Sequence, residues 1–325
     1  VTTTPPSPHA ADLLAGPRGR RLLLEVLLAA EETDSSSGPL GVALFTDVPP
    51  QTFAAMITTT DLPEITRDLL AAGLDQSVYS AMYWEAPDAT DGLCAAPEIR
   101  TALEPVAEQV AASPLTDWWW STPELDDQWT VQWSDPTDAP EPKSLTEWRA
   151  EELDTEEQAA HEYPVDPDQP VPFTGSWWSV PPDWFRGPKT TRTAPGATMP
   201  VGQLLTEDSP DNAFAVLPFT PPPDARVLEI TGAKDWADLC REFPLEVTAS
   251  RRHDWYRVTS RDGRWIIPDW AAVAGKWDAV HLTVAGYLNA ATRSIPVPGN
   301  GAATDGQDAA SLIANWGPDV TYWLR

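Results

Sequence analysis

Trp277-Asp278-Ala279-Val280-His281-Leu282-Thr283 is the stretch on which the fold turns. Extended, it sets Val280 and Leu282 on one face and His281 and Thr283 on the other. It is short, apolar and β-branched, and it reads as a buried strand over 278–284. Strand signals recur on both sides of it. Ala213–Phe219 and Arg226–Ile230 precede it, and Val320–Leu324 closes the chain. Short helical patterns, Asp235–Phe243 and Asp269–Ala274, lie between the strands. Asp254–Ser260 and Arg264–Ile267 read as a hairpin around Arg261-Asp-Gly-Arg264, because Asp-Gly suits a tight turn. Residues 299–308 are Gly-rich loop.

The N-terminal half reads differently. After ten residues expected to be disordered, a helix starts near Arg18, past the Gly16-Pro17 break, and runs to Ala30 with Leu22–Leu24 and Val26–Leu28 on its apolar face. A short strand is expected at Val42–Thr46. Asp61-Leu-Pro-Glu64 looks like a helix start, with Pro early and Glu in the first turn. Ile99, Leu103, Val106 and Val110 recur at helical spacing, and Pro105 should kink or split that helix. Gln128–Trp133 alternates as a strand. The expected fold class is therefore α+β: a helical N-terminal region followed by a mixed α+β C-terminal domain. The boundaries are 1–134 for the acidic, mainly helical region, 135–172 for an acidic, Pro-rich connector holding one helix at Ser144–Glu162, and 173–325 for an α+β candidate ligand-binding domain.

Charge divides the chain along the same line. The net charge is −28, and residues 1–170 carry 32 Asp/Glu against 7 Lys/Arg while residues 171–325 carry 17 against 14. The acidic half would repel nucleic acid and anionic membrane, so neither is an expected partner. A basic protein surface is one, through charge complementarity; solubility alone is the plainer reading. No run of about 18 apolar residues occurs, so no membrane span is expected. The start of the chain lacks the basic-then-apolar pattern of a signal peptide. Cys94 and Cys240 are too few for a disulfide framework or a Cys-rich zinc site, which points to a reducing cytoplasm.

Several chemistries lack their motifs. There is no P-loop, no Gly-x-Gly-x-x-Gly fingerprint, no His-Glu-x-x-His and no Gly-x-Ser-x-Gly elbow. The four histidines are dispersed, so no metal site is expected. What remains is two Trp-Trp-Ser-x-Pro boxes, Trp119–Pro123 and Trp177–Pro181, and an arginine cluster. A Trp ring is a large flat apolar face with one N–H donor, and it serves as core or as a stacking wall. The second box is the stronger candidate for a site, because Arg186, Lys189 and Arg192 follow it. Arg251-Arg252-His253-Asp254-Trp255-Tyr256-Arg257 is the densest basic run. Guanidinium groups bind phosphate bidentately, and aromatic rings stack on bases or sugars. The run either meets a small anionic or nucleotide ligand or pairs with nearby acids on a solvated surface. His281 with Thr283 is either a ligand-binding pair or a core histidine with its hydrogen bonds met.

The run Trp119 to Trp133, and about equally Gly175-Ser-Trp-Trp-Ser-Val-Pro181, resembles a strand end that lines the NAD pocket in ADP-ribosyltransferase-like domains. Arg226-Val-Leu-Glu-Ile230, Trp277–Thr283 and Trp316-Gly-Pro-Asp319-Val-Thr-Tyr-Trp-Leu324 look like later strands of bacterial members, over residues 173–325 at most. The usual Ser-Thr-Ser is absent, and Asp319 stands where the family has Glu. The chain also resembles a group of actinobacterial proteins through its Gly-Pro-Arg-Gly-Arg-Arg opening, its Ala-Met-Tyr-Trp run and its Trp boxes. The first resemblance implies NAD as cofactor and transfer of ADP-ribose or hydrolysis of NAD. Asp319 and His281 would then be catalytic. Trp177, Trp178, Ser179, Arg192, Arg251, Arg252, His253, Tyr256 and Thr283 would hold the ligand. The competing readings are a non-catalytic acidic interaction or immunity-type protein, and an enzyme of another chemistry on an aromatic or anionic metabolite.

Overall fold

The computed structural model describes residues 5–32, 37–46, 48–133, 142–171, 174–181, 187–207, 213, 215–299 and 308–325. The chain opens with two helices that meet at a corner. Pro8–Ala15 is capped by the Ser7 side chain, which accepts from the Ala10 N–H. Pro17 then starts Pro17–Glu31, and Gly16 is the corner between them. Ordered helix thus begins within the first ten residues, because Pro at the first helical position is pre-set for that conformation. Residues 1–4 lie outside the described set.

The Gly-Pro-Arg-Gly-Arg-Arg motif is the lock on this corner. Arg20 donates to the Leu14 and Ala15 carbonyls at the end of the first helix, which satisfies acceptors that a helix C-terminus leaves open. Arg18 is buried and donates to the Ser77 carbonyl at 2.9 Å and to Asp91. Arg21 pairs with Glu25 at 2.6 Å, Asp88 at 2.9 Å and Asp91 at 3.1 Å. The second helix is thereby pinned to the helix Arg67–Tyr79, where Gly73 permits close approach: a Cβ there would lie 2.8 Å from Val26 Cγ2.

The central sheet has four strands in the spatial order Lys189–Thr190, Val320–Trp323, Ala279–Leu282, Val227–Ile230. Adjacent strands among the first three pair antiparallel, and the last pairs parallel with Ala279–Leu282. All four residues of Ala279–Leu282 are buried, as expected of an inner strand. The register aligns Glu229, His281, Thr321 and Thr190 across one face. Thr283 leaves the strand and caps the following helix, Val284–Ala290, by accepting from the Gly286 N–H. That helix is buried on every side and packs on both N-terminal helices. One apolar core therefore runs from Leu13 and Leu22 through Tyr287 and Val280 to Trp316.

The α+β class is observed, with helices through the N-terminal half and small mixed sheets beyond. The boundaries expected at 134/135 and 172/173 lie outside the described residues. Inside the expected connector, Leu145–Glu162 is a helix with a full capping box between Ser144 and Glu147. It packs on the helices Thr248–Thr259 and Trp270–Lys276. Pro105 does split its segment, into Pro97–Ala102 and Glu104–Ala111.

Two elements differ in kind from expectation. Residues 39–44 are a helix, not a strand, since Pro39 starts it and Leu40 and Ala43, three apart, both turn into the core. The expected first strand of a hairpin is the helix Thr248–Thr259. Its N-terminus is satisfied by Glu156, whose carboxylate accepts from the Ala249 N–H at 2.7 Å and the Ser250 N–H at 2.9 Å. A carboxylate suits that end of a helix. It lies over ninety positions away in sequence, so local turn chemistry could not reveal it. Strand Ile266–Pro268 pairs instead with Pro244–Glu246. Most of the Gly-rich 299–308 segment lies outside the described residues.

Among the described residues no helix is long and apolar enough to cross a membrane. Both cysteines are free and buried, and burial pushes each thiol up to about 12. Neither thiol of the native protein should react with an aromatic disulfide reagent at pH 8, and both should react in urea. Rapid native reaction would contradict the packing.

Candidate functional site

The residues singled out in the sequence separate into three groups. The first is a buried polar thread beneath the sheet. His281 is fully buried, with Nδ1 at 2.6 Å from Glu229 Oε2 and Nε2 at 3.4 Å from Asp319 Oδ1. Asp319 is buried in turn and held by Arg192, whose Nε donates to Oδ1 at 2.7 Å and whose backbone N–H donates to Oδ2 at 3.2 Å. Arg192 ends on the first Trp box, donating to Ser121 Oγ at 2.9 Å and to the Ser121 carbonyl at 3.3 Å. Charges alternate along this thread, which is how buried ions persist at tolerable cost. Neither His281 nor Asp319 lines a cavity described below, so the expected catalytic pair is found as an internal ion network.

Burial works to lower the His281 pKa, but the hydrogen bonds and charges of Asp319 and Glu229 outweigh it and raise it above the ordinary 6.5. A raised folded pKa stabilises the fold fully below the unfolded value, and that stability is lost as pH rises through the folded value. His281→Asn should therefore cost most near pH 6, and its deficit should shrink at higher pH. Urea midpoints of both proteins at pH 6, 7, 8 and 9 test this; a deficit that grows with pH contradicts it.

The second group lies on the helix Thr248–Thr259. Arg251 is fully buried, pairs with Glu152 at 2.7 Å and sits 5.8 Å from the Trp178 ring. Arg252 donates to the Val165 carbonyl, and His253 sits between the Pro164 and Pro167 carbonyls. Arg257 bonds Asp254 and the Val171 carbonyl. Arg264 pairs with Glu246, and Arg241 with Asp238. Arg261 donates to the Arg264 and Asp308 carbonyls. The six arginines therefore take separate partners rather than converge, and Arg251, Arg252, Arg257 and His253 clasp residues 152–171. Tyr256 is half-buried on the same helix.

The third group is the second Trp box, and it reaches a cavity. Ser179 is buried and exchanges bonds with Ala314, accepting from its N–H at 2.9 Å and donating to its carbonyl at 3.3 Å. Trp178 covers Arg251. Trp177 stacks on Tyr83, with ring centroids 5.8 Å apart and planes 6° apart, and its centroid is 4.6 Å from that of Trp84. Trp177 and Trp84 line a cavity of about 330 Å³ together with Lys189, Glu207, Asn315 and Tyr322. Lys189 Nζ lies 5.9 Å from the Tyr322 ring centroid, on the sheet face opposite His281. Glu207 accepts a hydrogen bond from the buried Tyr83 hydroxyl. Burial pushes its carboxyl up to about 8, although the Tyr83 hydrogen bond and the Arg18 and Lys189 charges pull the other way. A second cavity, about 560 Å³, lies beside the first Trp box and is walled by Trp118, Trp119, Leu70 and Leu74.

Of the expected ligand-binding residues, Trp177 alone lines the smaller cavity. Trp178, Ser179, Arg192, Arg251, Arg252, His253 and Thr283 make the internal contacts given above. Arg186 lies outside the described residues. Sequence reasoning missed Trp84, Glu207, Asn315 and Tyr322 as a group. Two signals were present: the Ala-Met-Tyr83-Trp84 run, and Lys189 following the second box. Glu207 carried none. Among the described residues no cluster of three or more His, Cys, Asp or Glu has the arrangement of a metal site. No protein family model, curated protein or solved structure matches this chain.

Proposed function

We propose that this protein binds a small aromatic or anionic metabolite in the cavity behind Trp177. The observation that carries the reading is the convergence there of three Trp rings (Trp84, Trp133 and Trp177), a Tyr ring, one Lys and one carboxyl. Ligand sites are concave and mostly apolar, with a few placed polar groups. A volume of about 330 Å³ is at the low end of the roughly 300–1,000 Å³ usual for such sites, which favours a ligand smaller than a dinucleotide. Nucleotide binding, with only one end of NAD as cofactor seated in the cavity, is a narrower form of the same proposal. Its support is Trp177 as a stacking wall and Lys189 as a phosphate partner. An ADP-ribosyl-transfer step would have to draw on Glu207, since Asp319 is held by Arg192. The compartment we infer is the cytoplasm, supported by two free buried thiols.

Intrinsic Trp fluorescence titrated with ATP, ADP-ribose, NAD and 3-phenylpropionate tests the reading. At least one should quench saturably, and Lys189→Met should weaken that binding about tenfold or more, the loss of one charge-assisted contact. Silence from all four contradicts it. A second reading, a basic protein partner on the acidic half, is favoured by one observation: Phe45 and Val42 are 87% and 53% exposed on one short helix and its end. Binding of that kind would fall steeply with added salt.

A further inference from the structure

Resting on the cavity reading above, we propose that the ligand is zwitterionic, its ammonium group held by Glu207 beside Trp84 and Trp177 and its anionic group held by Lys189. The cavity wall carries one acid, Glu207, and one base, Lys189, among the Trp84, Trp133, Trp177 and Tyr322 rings, with Lys189 Nζ 5.9 Å from the Tyr322 centroid. Among the described residues Glu207 has one hydrogen-bond partner, Tyr83, and no salt bridge. A carboxyl at a cavity wall with no salt bridge is costly when ionised. A bound ammonium supplies the missing charge, and the electron-rich Trp faces add cation–π attraction. Lys189, from the edge strand, serves the other end of the ligand.

Four groups face Glu207 from the elements packed around it. They are the Tyr83 hydroxyl from the loop after Arg67–Tyr79, Tyr287 from Val284–Ala290, Arg18 from Pro17–Glu31, and Lys189 from the sheet. Arg18 is committed to Asp91 and to the Ser77 carbonyl, so it does not neutralise Glu207. With the carboxyl pushed up to about 8, Glu207 holds a proton at neutral pH in the empty cavity. An arriving ammonium requires the ionised form, and one proton leaves to solvent as the ion pair forms. Affinity should therefore rise as pH rises from 6 to about 8 and then level off.

Three phenyl probes separate the possibilities: L-phenylalanine, phenethylamine and 3-phenylpropionate, titrated by calorimetry from pH 6 to 8.5. L-phenylalanine should bind about tenfold tighter than 3-phenylpropionate at pH 8. It should release close to one proton at pH 7, read from buffers of different ionisation heat. Glu207→Gln keeps an acceptor for Tyr83; it should erase both the preference and the pH dependence while leaving 3-phenylpropionate binding in place. Equal or tighter binding of 3-phenylpropionate overturns the inference and leaves the anionic-ligand reading standing. No binding by any of the three also overturns it, and the separate nucleotide titration then decides whether the cavity reading falls as well. A Glu207→Gln protein that retains the preference overturns it too, once its thermal transition shows that it is folded.

Discussion

Arg192→Met is expected to lower the unfolding free energy by about 3–5 kcal/mol, the usual cost of removing one partner from a buried ion pair. Met fills much of the Arg volume, so the loss reports charge more than packing. Without the guanidinium, Asp319 keeps only the backbone N–H of residue 192 at 3.2 Å, His281 at 3.4 Å and a weak Thr191 contact, also at 3.4 Å. Ser121 loses both guanidinium bonds, which removes the tie between the first Trp box and the buried ion pair. Asp319 has φ of 59°, a conformation that Asn tolerates well. The double variant Arg192→Met/Asp319→Asn should therefore lose less than the two single losses added, because the stranded charge is gone. Urea unfolding of the four proteins measures this. Strict additivity would mean that the two side chains are not coupled, and the thread would lose its meaning as a unit.

Gly16→Ala should cost stability in the upper part of the ~1–3 kcal/mol range for overpacking, or prevent folding. A Cβ at Gly16 would lie 1.9 Å from the Leu288 carbonyl oxygen and 2.5 Å from that of Asn289. Both neighbours are backbone at the end of a buried helix, so neither can rotate away. Gly92→Ala is the control, since no atom lies within 4 Å of where its Cβ would stand and its φ is ordinary. That change should be neutral or stabilise by up to about 1 kcal/mol. If both variants unfold alike in urea, the corner does not seat the N-terminal helices on Val284–Ala290, and the single core is wrong.

Much of the framework was legible because its signals are local. Pro17 and Pro97 stand at helix starts that the sequence places there, and Pro105 breaks a helix where its missing N–H demands, whereas the helix at Pro8 falls in residues expected to be disordered. The run 279–282 is apolar and short, and it is the inner strand. The arginine run was illegible for a physical reason. Its helix is stabilised by Glu156 at one end and by carbonyls of residues 164–171 along its side. None of these is a near neighbour in sequence. Counting Asp and Arg in that run showed charge, but not that Arg251 and Asp254 are fully buried.

The cavity was illegible in the same way. Its walls come from residues near 84, 131–133, 177, 189–191, 202–207 and 315–322, six separate segments. Only folding of the N-terminal helices against the sheet brings Trp84 to Trp177. Glu207 sits in a stretch that looks like any acidic loop, and its raised pKa is a property of its surroundings alone.

The most direct measurement follows the indole N–H resonances of uniformly 15N-labelled protein on addition of L-phenylalanine and, separately, ATP. The chain has 17 tryptophans, and substitution of each in turn assigns them. Binding in the proposed cavity predicts shifts at Trp84 and Trp177 while Trp236, Trp255 and Trp270, buried elsewhere in the core, stay still. Shifts confined to Trp118 and Trp119, or none with either compound, would contradict the account.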